Sequence, residues 1–387
     1  MSNKLQYDRI LNVPGSSFFL FGPRGVGKST WARERLDRAH RIDLLDEALF
    51  NDFLSDPGLF ADELRGLKKG SWVVVDEIQR IPGLLNEVHR FIEERQLRFA
   101  LLGSSARKLR AAGTNLLAGR AIQKRMFPLV PAELGPDFDL EKVLRAGSIP
   151  LIWAAPQKRS ALEAYVQAYL REEIRAEALV RNLPGFVRFL PIAALFHGQV
   201  INVSAIARDS GTARTTVNGY LEILEDTLIT FRLPAYEAKL RVRERKHPKL
   251  YWVDSGLVRA VKKQFGSVAM EERGSLFEGW VLTLLRVHAE EAELYDEIFY
   301  WAPTQARLLE VDLLLKRGKD LLAIEIKSGR KFSPTMVPGL KAVAELPDVV
   351  RRIVVYGGSR TLRTSDGIDV WPVEKLVESI ATGQVWP

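Results

Sequence analysis

Residues 17–30, SFFLFGPRGVGKST, decide the fold class of the first part of the chain. The apolar run at residues 17–22 ends in glycine, which is typical of a buried parallel strand that enters a phosphate-binding loop. A GxxxxGK[ST] sequence follows, and after Lys28 a charged stretch rich in Ala, Arg and Leu indicates a helix. A glycine-rich loop of this pattern between a strand and a helix predicts a P-loop.

The chemistry of such a loop assigns roles to its residues. Glycines allow backbone conformations that point N–H groups into a nest for anions, and the N-terminus of the following helix adds partial positive charge. We expect Lys28 to reach the β- and γ-phosphates of ATP and the Ser29 hydroxyl to bind Mg²⁺. The predicted nucleotide-binding residues are Gly22, Pro23, Arg24, Gly25, Val26, Gly27, Lys28, Ser29 and Thr30.

An acidic pair completes this predicted site. In VVVDE, residues 73–77, Asp76 ends an apolar strand 48 positions after Lys28 and fits the carboxylate that faces Mg²⁺. Glu77 lies beside it and is placed to polarise the attacking water. The alternative is a chance glycine loop followed by a surface acidic pair, and the presence of both halves on suitable strands disfavours it. We therefore expect ATP and Mg²⁺ as cofactors and ATP hydrolysis as the reaction.

Strands and helices alternate around these motifs. Apolar runs at residues 40–46, 71–79 and 97–105 predict three more strands, and residues 84–96 carry apolar side chains at helical spacing. This alternation predicts an α/β fold with a doubly wound parallel sheet. The pattern stops near Pro131, so we place a P-loop ATPase domain at residues 1–132.

Four stretches in this part of the chain resemble one known family. They are FLFGPRGVGKST, VVVDEIQRIP, ALLGSSARKL and LLAGRAIQKRMFPLVPAEL, which begin at residues 19, 73, 100 and 116. Their order is similar to that of the bacterial AAA+-type ATPases with a C-terminal DUF4143 region, and the resemblance spans nearly the whole chain. It implies an AAA+-like ATPase and, because such ATPases often complete their site with a neighbour, a homo-oligomer formed through the ATPase domain.

The resemblance also implies roles for polar residues after the fourth strand. Ser104 or Ser105 resembles the sensor-1 residue, which would hydrogen-bond the γ-phosphate or the lytic water. Arg120 is the candidate arginine finger, acting across a subunit interface or within the chain. Arg107 and Arg110 are its rivals, and each arginine is alternatively a solvated surface charge.

The middle of the chain changes to helical sequence. Residues 162–180 predict one long amphipathic helix, and we assign residues 133–190 to a helical lid or linker. Residues 197–233 contain two short helical segments around the turn SGTA, and residues 233–257 alternate apolar and basic side chains as a hairpin does. Helix, turn, helix and basic hairpin predict a winged-helix domain at residues 191–253.

The predicted winged helix carries exposed hydrogen-bond donors. Its expected core positions are Ile206, Ala207, Val217, Tyr220, Leu221 and Leu224. Side chains suited to phosphates or base edges are expected at the start of the second helix, at Arg214, Thr215, Thr216 and Asn218. The wing adds arginines along one strand face at Arg241, Arg243 and Arg245. DNA is therefore the expected partner, and the alternative is a winged helix used only for protein contacts.

The last part, residues 254–387, contains a second acidic pattern. Asp312 precedes an apolar run, and Glu325 and Lys327 form an ExK sequence thirteen positions later, beyond the tight turn KRGKD. Neighbouring strands lie about 5 Å apart, so Asp312 and Glu325 are expected side by side, with Lys327 on the same strand face as Glu325. The two carboxylates could hold Mg²⁺, Lys327 could activate a water, and Glu278 could supply a third acid.

This order resembles the PD-(D/E)xK nuclease fold and implies catalytic roles for Glu278, Asp312, Glu325 and Lys327. Two alternatives stay open. One is a surface hairpin with a solvated Glu325–Lys327 pair, which the apolar neighbours of Glu325 disfavour. The other is a folded but inactive nuclease domain that is retained for binding.

Composition narrows the function classes. The chain has 56 Lys and Arg against 48 Asp and Glu, a net charge of +8, and this basic balance favours a polyanion such as DNA. The absence of cysteine excludes disulfides, thiolate zinc sites and a Cys nucleophile. No apolar signal sequence or membrane-length apolar run occurs, so we expect a cytoplasmic protein with no membrane partner.

These expectations combine into one functional hypothesis. The chain is predicted to be an Mg²⁺-dependent ATPase that binds DNA and couples ATP hydrolysis to DNA remodelling or processing, with nuclease activity left open. The alternative is a nucleotide-gated switch that acts on protein partners and carries an inactive nuclease-like domain.

Overall fold

The structure, a computed structural model, describes residues 7–107, 109, 117–170, 183–237, 247–303 and 309–387. Three β-sheets of five, three and six strands organise these residues, and helices join them in chain order. Within the described residues, no helix is long and apolar enough to cross a bilayer.

The first region is a parallel sheet with the strand order β2-β3-β4-β1-β5. Its strands are β1 Phe18–Phe21, β2 His40–Asp43, β3 Trp72–Asp76, β4 Arg98–Gly103 and β5 Ile122–Arg125. The helices between them are α1 Lys28–Arg35, α2 Glu47–Ser55, α3 Pro57–Arg65 and α4 Leu84–Arg95. The predicted α/β fold class, with the parallel sheet of a P-loop ATPase, is confirmed.

Apolar side chains on both faces of β1 explain why this strand is buried. Phe18 packs edge-on against Trp31 of α1 with ring centroids 6.0 Å apart, whereas Phe19 stacks on Phe21 at 5.5 Å. Successive side chains of a strand point to opposite faces, so Phe18 and Phe19 belong to two different hydrophobic clusters. Helices can therefore cover both faces of the sheet, as a parallel sheet requires.

The strand order positions the nucleotide site. Strand β4 lies between β1 and β3 and pairs in parallel with both. Because the carboxyl ends of parallel strands meet at one sheet edge, the loop after β1, the Asp76–Glu77 pair after β3 and Ser104 after β4 lie along the same edge.

A set of short helices follows the first sheet. They are α5 Pro131–Leu134, α6 Leu140–Ala146, α7 Pro150–Trp153, α8 Lys158–Ala164 and α9 Leu183–Leu195. The long helix predicted from residue 162 is helical in its described part, where α8 passes into a π-helix at Tyr165–Leu170. Helix α9 crosses the predicted boundary at residue 190, and the four domain boundaries stay predictions.

The second sheet is small and antiparallel, with the strand order β6-β8-β7. Its strands are β6 Gln199–Val200, β7 Thr230–Leu233 and β8 Lys249–Trp252, and its helices are α10 Val203–Ser210 and α11 Arg214–Asp226. All six apolar positions predicted for its core are buried. Strands β7 and β8 pair antiparallel, but β7 shares only Leu233 with the predicted hairpin at residues 233–257. The part of that hairpin that holds Arg241, Arg243 and Arg245 lies outside the described residues, so the hairpin stays a prediction.

The third region begins with α12 Ser255–Val261 and the 23-residue helix α13 Met270–Ala292. Its sheet has the strand order β13-β14-β12-β11-β10-β9. The strands are β9 Glu297–Trp301, β10 Val311–Arg317, β11 Asp320–Lys327, β12 Val349–Tyr356, β13 Leu362–Arg363 and β14 Asp369–Pro372, and the helices are α14 Pro338–Ala342 and α15 Val373–Ala381. Strands β10 and β11 pair across the predicted turn, with Leu313 opposite Ile324, and α13 packs on β11.

Candidate functional site

The phosphate loop has the backbone that its glycines predict. Gly25 and Gly27 adopt φ values of 78° and 92°, which lie in the left-handed region that side chains other than glycine rarely enter. Gly27 caps helix α1. The Lys28 ammonium donates to the carbonyls of Gly22 at 2.7 Å and Pro23 at 3.3 Å. The lysine is therefore held against the loop whose N–H groups are predicted to bind phosphate.

The acidic pair at the end of β3 is partly enclosed. Asp76 accepts a hydrogen bond from the backbone N–H of Glu77 at 3.1 Å, and Glu77 adopts a left-handed φ of 56°. Burial raises the pKa of Glu77, and the Asp76 carboxylate adds to this, while Lys28 and Arg24 act in the opposite direction. A non-glycine residue in this conformation, with a raised pKa and next to a P-loop lysine, has the features of a functional carboxylate.

A glutamine that the sequence interpretation missed links Glu77 to the sensor position. The Gln79 side-chain amide donates to the Glu77 carboxylate and, at 3.2 Å, to the Ser104 hydroxyl. Gln79 and Ser104 are both buried. Ser105 instead accepts a hydrogen bond from the backbone N–H of Arg107, so Ser104 is the serine that Gln79 links to the acidic pair. The position of Gln79, two residues after Glu77, was the one available signal.

A cavity of about 350 Å³ lies beside the phosphate loop. Gly25, Val26, Tyr7, Leu151 and Ala154 are among the residues that line it. A largely apolar cavity next to a phosphate loop suits the flat base of a nucleotide. The sequence interpretation did not predict it, because the N-terminal segment and α7 are brought to the loop by tertiary packing.

Arg9 connects this cavity to three parts of the chain. Its guanidinium donates to the Val26 carbonyl in the phosphate loop at 2.6 Å and to the Phe127 carbonyl at 2.6 Å. It also forms a 2.8 Å ion pair with Glu133 of α5. Arg9 and Glu133 are both buried, so their ion pair lies away from water and holds Arg9 against the phosphate loop.

The candidate arginine fingers have other partners in the chain. Arg120 is partly exposed and pairs with Glu93, and none of its described contacts reaches the phosphate loop. Arg107 forms a 2.7 Å ion pair with Asp226, the last residue of α11. The rival Arg110 lies outside the described residues. A finger role for Arg120 across a subunit interface stays a prediction.

The start of α11 presents the predicted donor groups. Arg214, Thr215 and Asn218 are exposed and Thr216 is half-buried, while Val217 between them is buried. Helix α11 begins at Arg214, so these side chains project from its first turns. The arrangement leaves them free to meet a partner, and DNA as that partner stays a prediction.

The structure brings the four residues of the predicted nuclease-like centre together. The Lys327 ammonium lies 2.5 Å from a Glu325 carboxylate oxygen and 3.6 Å from Asp312. Asp312 also accepts a hydrogen bond from the backbone N–H of Ile326 at 2.8 Å. Burial and the neighbouring Asp312 raise the pKa of Glu325 to about 8 and that of Glu278 to about 7.

Three further residues, which sequence interpretation did not place here, complete this acidic centre. The Lys249 ammonium of β8 lies 3.1 Å from Glu278 and 3.8 Å from Asp312, and it also pairs with Glu310. The Tyr251 hydroxyl donates to Glu278. Burial opposes the charge on Lys249, but the three carboxylates outweigh it and raise its pKa. Over the described ranges, no group of three or more acidic or histidine side chains has the arrangement of a metal site.

Three sequence models match successive parts of the chain. The model of the AAA domain matches residues 15–135, and two domains of unknown function, DUF8612 and DUF4143, match residues 137–267 and 273–376. Together with the phosphate loop and the parallel sheet, the first match shows that this region is a P-loop ATPase domain of the AAA type. The second match treats the predicted lid and winged helix as one region.

Bacterial relatives align with most of the chain. An uncharacterized protein of Mycobacterium tuberculosis is 28% identical over 375 residues, which cover 95% of this chain and 81% of the relative. One of Haemophilus influenzae is 21% identical over 318 residues, which cover 74% of this chain and 79% of the relative. Among solved structures, the Aeropyrum pernix ORC1 protein in complex with DNA is similar with a TM-score of 0.26 and 16% identity, over 65% of this chain and 87% of that one.

Proposed function

We propose that the chain is an Mg²⁺-dependent ATP hydrolase that binds DNA and couples hydrolysis to remodelling or processing of that DNA. The observation that carries the proposal is the chain of contacts from Glu77 through Gln79 to Ser104, at the sheet edge that holds the phosphate loop. It supports hydrolysis rather than binding alone, because a fixed carboxylate with a raised pKa suits a general base.

The phosphate loop and the acidic pair suit Mg²⁺ and the triphosphate. The Ser29 hydroxyl and the Asp76 carboxylate are the oxygen ligands we assign to Mg²⁺, which usually takes one or two protein ligands besides phosphate oxygens. Bound there, Mg²⁺ would neutralise charge on the β- and γ-phosphates. Lys28 would exchange its contacts with the carbonyls of Gly22 and Pro23 for phosphate oxygens.

The remaining residues act on the attacking water. Glu77 would accept a proton from it, Gln79 would keep the Glu77 carboxylate in place, and the Ser104 hydroxyl would bind the γ-phosphate. Arg120 is assigned to the active site of a neighbouring subunit in a homo-oligomer, because in its own chain it pairs with Glu93 at an exposed position. This assignment predicts that hydrolysis rises with subunit concentration.

ATP turnover tests the first half of the proposal. Lys28→Ala should abolish tight ATP binding, whereas Glu77→Gln should bind ATP and hydrolyse it about 100-fold more slowly or worse. Glu47→Gln is the matched control, since Glu47 forms an exposed ion pair with Arg80 and should leave the rate unchanged. Wild-type turnover in Glu77→Gln would remove the general-base assignment.

The DNA half rests on the first turns of α11. Exposed donors at Arg214 and Asn218 start a helix that follows a tight turn at Gly211, and an antiparallel hairpin lies beyond it, which is the outline of a winged helix. We expect Arg214→Ala to weaken DNA binding and to reduce its dependence on salt. The control is Arg159→Ala, which removes an exposed arginine of α8.

The rival function is a nucleotide-gated switch that acts on protein partners. The ion pair between Arg107 and Asp226 joins the segment after β4 to the end of α11, so either function has a route from the nucleotide to α11. Binding of single-stranded, duplex and branched DNA over a range of salt concentrations separates the two. Weak binding with no difference between wild type and Arg214→Ala would favour the switch.

A further inference from the structure

The acidic centre contains an ammonium group where a divalent cation is expected. Lys249 comes from β8 of the small sheet, and its side chain is only 4% exposed. Its nitrogen contacts Glu278 of α13, Glu310 just before β10 and Asp312 at the start of β10. The Lys249 ammonium of the second sheet is thus the cation that pairs with carboxylates from two different elements of the third region.

We propose that the Lys249 ammonium takes the place of the divalent cation in this centre, which is therefore a built-in ion-pair junction and not a metal-dependent nuclease site. The proposal concerns the third region and does not depend on ATP hydrolysis.

Several of the oxygens that a metal would need already have partners. One oxygen of Glu278 contacts Lys249 and Tyr251, and the two oxygens of Asp312 face Lys249 and the Ile326 backbone N–H. Mg²⁺ requires near-octahedral coordination at about 2.1 Å, much shorter than these contacts, so it would have to displace the lysine. Two cations cannot share the same buried oxygens, because their repulsion is poorly screened there.

Glu325 does not restore a metal site. One of its oxygens is paired with Lys327 at 2.5 Å. The other is buried and has no hydrogen-bond partner in the described part of the chain. To bind Mg²⁺, this oxygen would need Asp312 as a second carboxylate ligand, and both lysines would have to leave before Asp312 and Glu325 could act together.

Lys249 is fixed by the strand that carries it. In β8 it pairs with Leu233 of β7 on one side and with Val200 of β6 on the other, so it lies in the central strand of its sheet. Just before β8, the His247 carbonyl accepts a hydrogen bond from the Tyr300 hydroxyl of β9 at 2.7 Å. These contacts hold the backbone of Lys249 against the third region, so its ammonium can leave the carboxylates only if the buried side chain changes rotamer.

Substitution of Lys249 should convert the junction into a metal site. Lys249→Met keeps an unbranched side chain that is one atom shorter and removes the charge, which leaves Glu278, Glu310 and Asp312 without their shared cation. The probe is Mn²⁺, titrated into nucleotide-free, full-length protein and followed by the electron paramagnetic resonance signal of free Mn²⁺. We expect Lys249→Met to bind one Mn²⁺ at least tenfold more tightly than wild type, and Lys249→Met/Asp312→Asn to lose the gain.

Two controls complete the test. Lys262→Met removes a half-buried lysine, which pairs with Glu272 outside the centre, and should gain no Mn²⁺ site. Wild type and Asp312→Asn should bind Mn²⁺ equally and should leave plasmid DNA uncut in Mg²⁺ or Mn²⁺. The proposal is overturned if wild type binds Mn²⁺ or cuts DNA in a way that Asp312→Asn abolishes, or if folded Lys249→Met gains no site. The wild-type comparison decides the question even where Lys249→Met fails to fold.

Discussion

Arg9→Met is expected to destabilise the ATPase domain and to weaken ATP binding together. The substitution removes two 2.6 Å hydrogen bonds to the carbonyls of Val26 and Phe127 and the ion pair with Glu133. The Glu133 side chain is 1% exposed, so after the substitution its carboxylate would remain buried without a cationic partner. It would keep only its hydrogen bonds from backbone N–H groups. Removal of one partner from a buried ion pair costs about 3–5 kcal/mol.

Methionine preserves the apolar contacts of the arginine stem, so we expect a loss near the lower limit, about 3 kcal/mol. Part of this loss should appear as weaker ATP binding, since Val26 belongs to the phosphate loop. A tenfold rise in Kd corresponds to about 1.4 kcal/mol. Urea unfolding followed by circular dichroism measures the first quantity, and titration with a fluorescent ATP analogue measures the second.

Two further variants separate the buried pair from general effects. Asp8→Asn removes the partner of Arg35 in a neighbouring ion pair in which Asp8 is 87% exposed, and it should cost less than about 1 kcal/mol. Arg9→Met/Glu133→Gln should recover part of the loss, because the uncompensated carboxylate is gone. Two results would contradict a buried, stabilising Arg9–Glu133 pair. One is a loss of unfolding free energy in Arg9→Met no larger than in Asp8→Asn, and the other is a double variant less stable than Arg9→Met.

Three other predictions concern catalysis, pH and the phosphate loop. Gln79→Leu should lower kcat about 10- to 100-fold with little change in KM for ATP, because Glu77 loses the group that positions it. A rise in KM as large as the fall in kcat would contradict this role. Burial lowers the pKa of His197 to about 3, and its ring accepts a hydrogen bond from the backbone of Trp252 at 3.0 Å. Below a pH of about 6.5 the His197 imidazole binds a proton in the unfolded chain but not in the folded chain. The free energy of unfolding should therefore fall by up to about 1.4 kcal/mol per pH unit. Urea unfolding at pH 5 to 7 should show a smaller fall in His197→Asn than in wild type. Gly25→Ala, at a φ of 78°, should weaken ATP binding by about 1–2 kcal/mol in the same fluorescence titration, whereas an unchanged Kd would show that the loop accepts the strain.

The sequence was sufficient for features that depend on local pattern. The phosphate loop, the strand that ends at Asp76 and the hairpin that joins Asp312 to Glu325 are all encoded by residues close together in the chain. Secondary structure followed the apolar periodicity, except where α8 becomes a π-helix. That change in hydrogen bonding leaves no distinct signature in an amphipathic sequence.

Features that depend on tertiary packing were not predictable. Arg9 pairs with Glu133, 124 positions later in the chain. Lys249, in a strand of the second sheet, pairs with Glu278, which is 29 positions later in helix α13. In the sequence alone, Arg9 and Lys249 cannot be distinguished from ordinary basic surface residues. The choice of Ser104 over Ser105 likewise needed the strand order, since only a β4 placed next to β3 brings that hydroxyl to Gln79.

The contact of Lys249 with α13 and β10 also determines how the chain can be divided. The matched regions end at residue 267 and resume at residue 273, yet the ammonium lies on the first side of that gap and its carboxylates on the second. A fragment that began after β8 would keep Lys327 but would leave Glu278 without the lysine that pairs with it, so we expect this fragment to be less stable than the full chain. We therefore expect the two regions to fold as one unit across the sequence boundary between them.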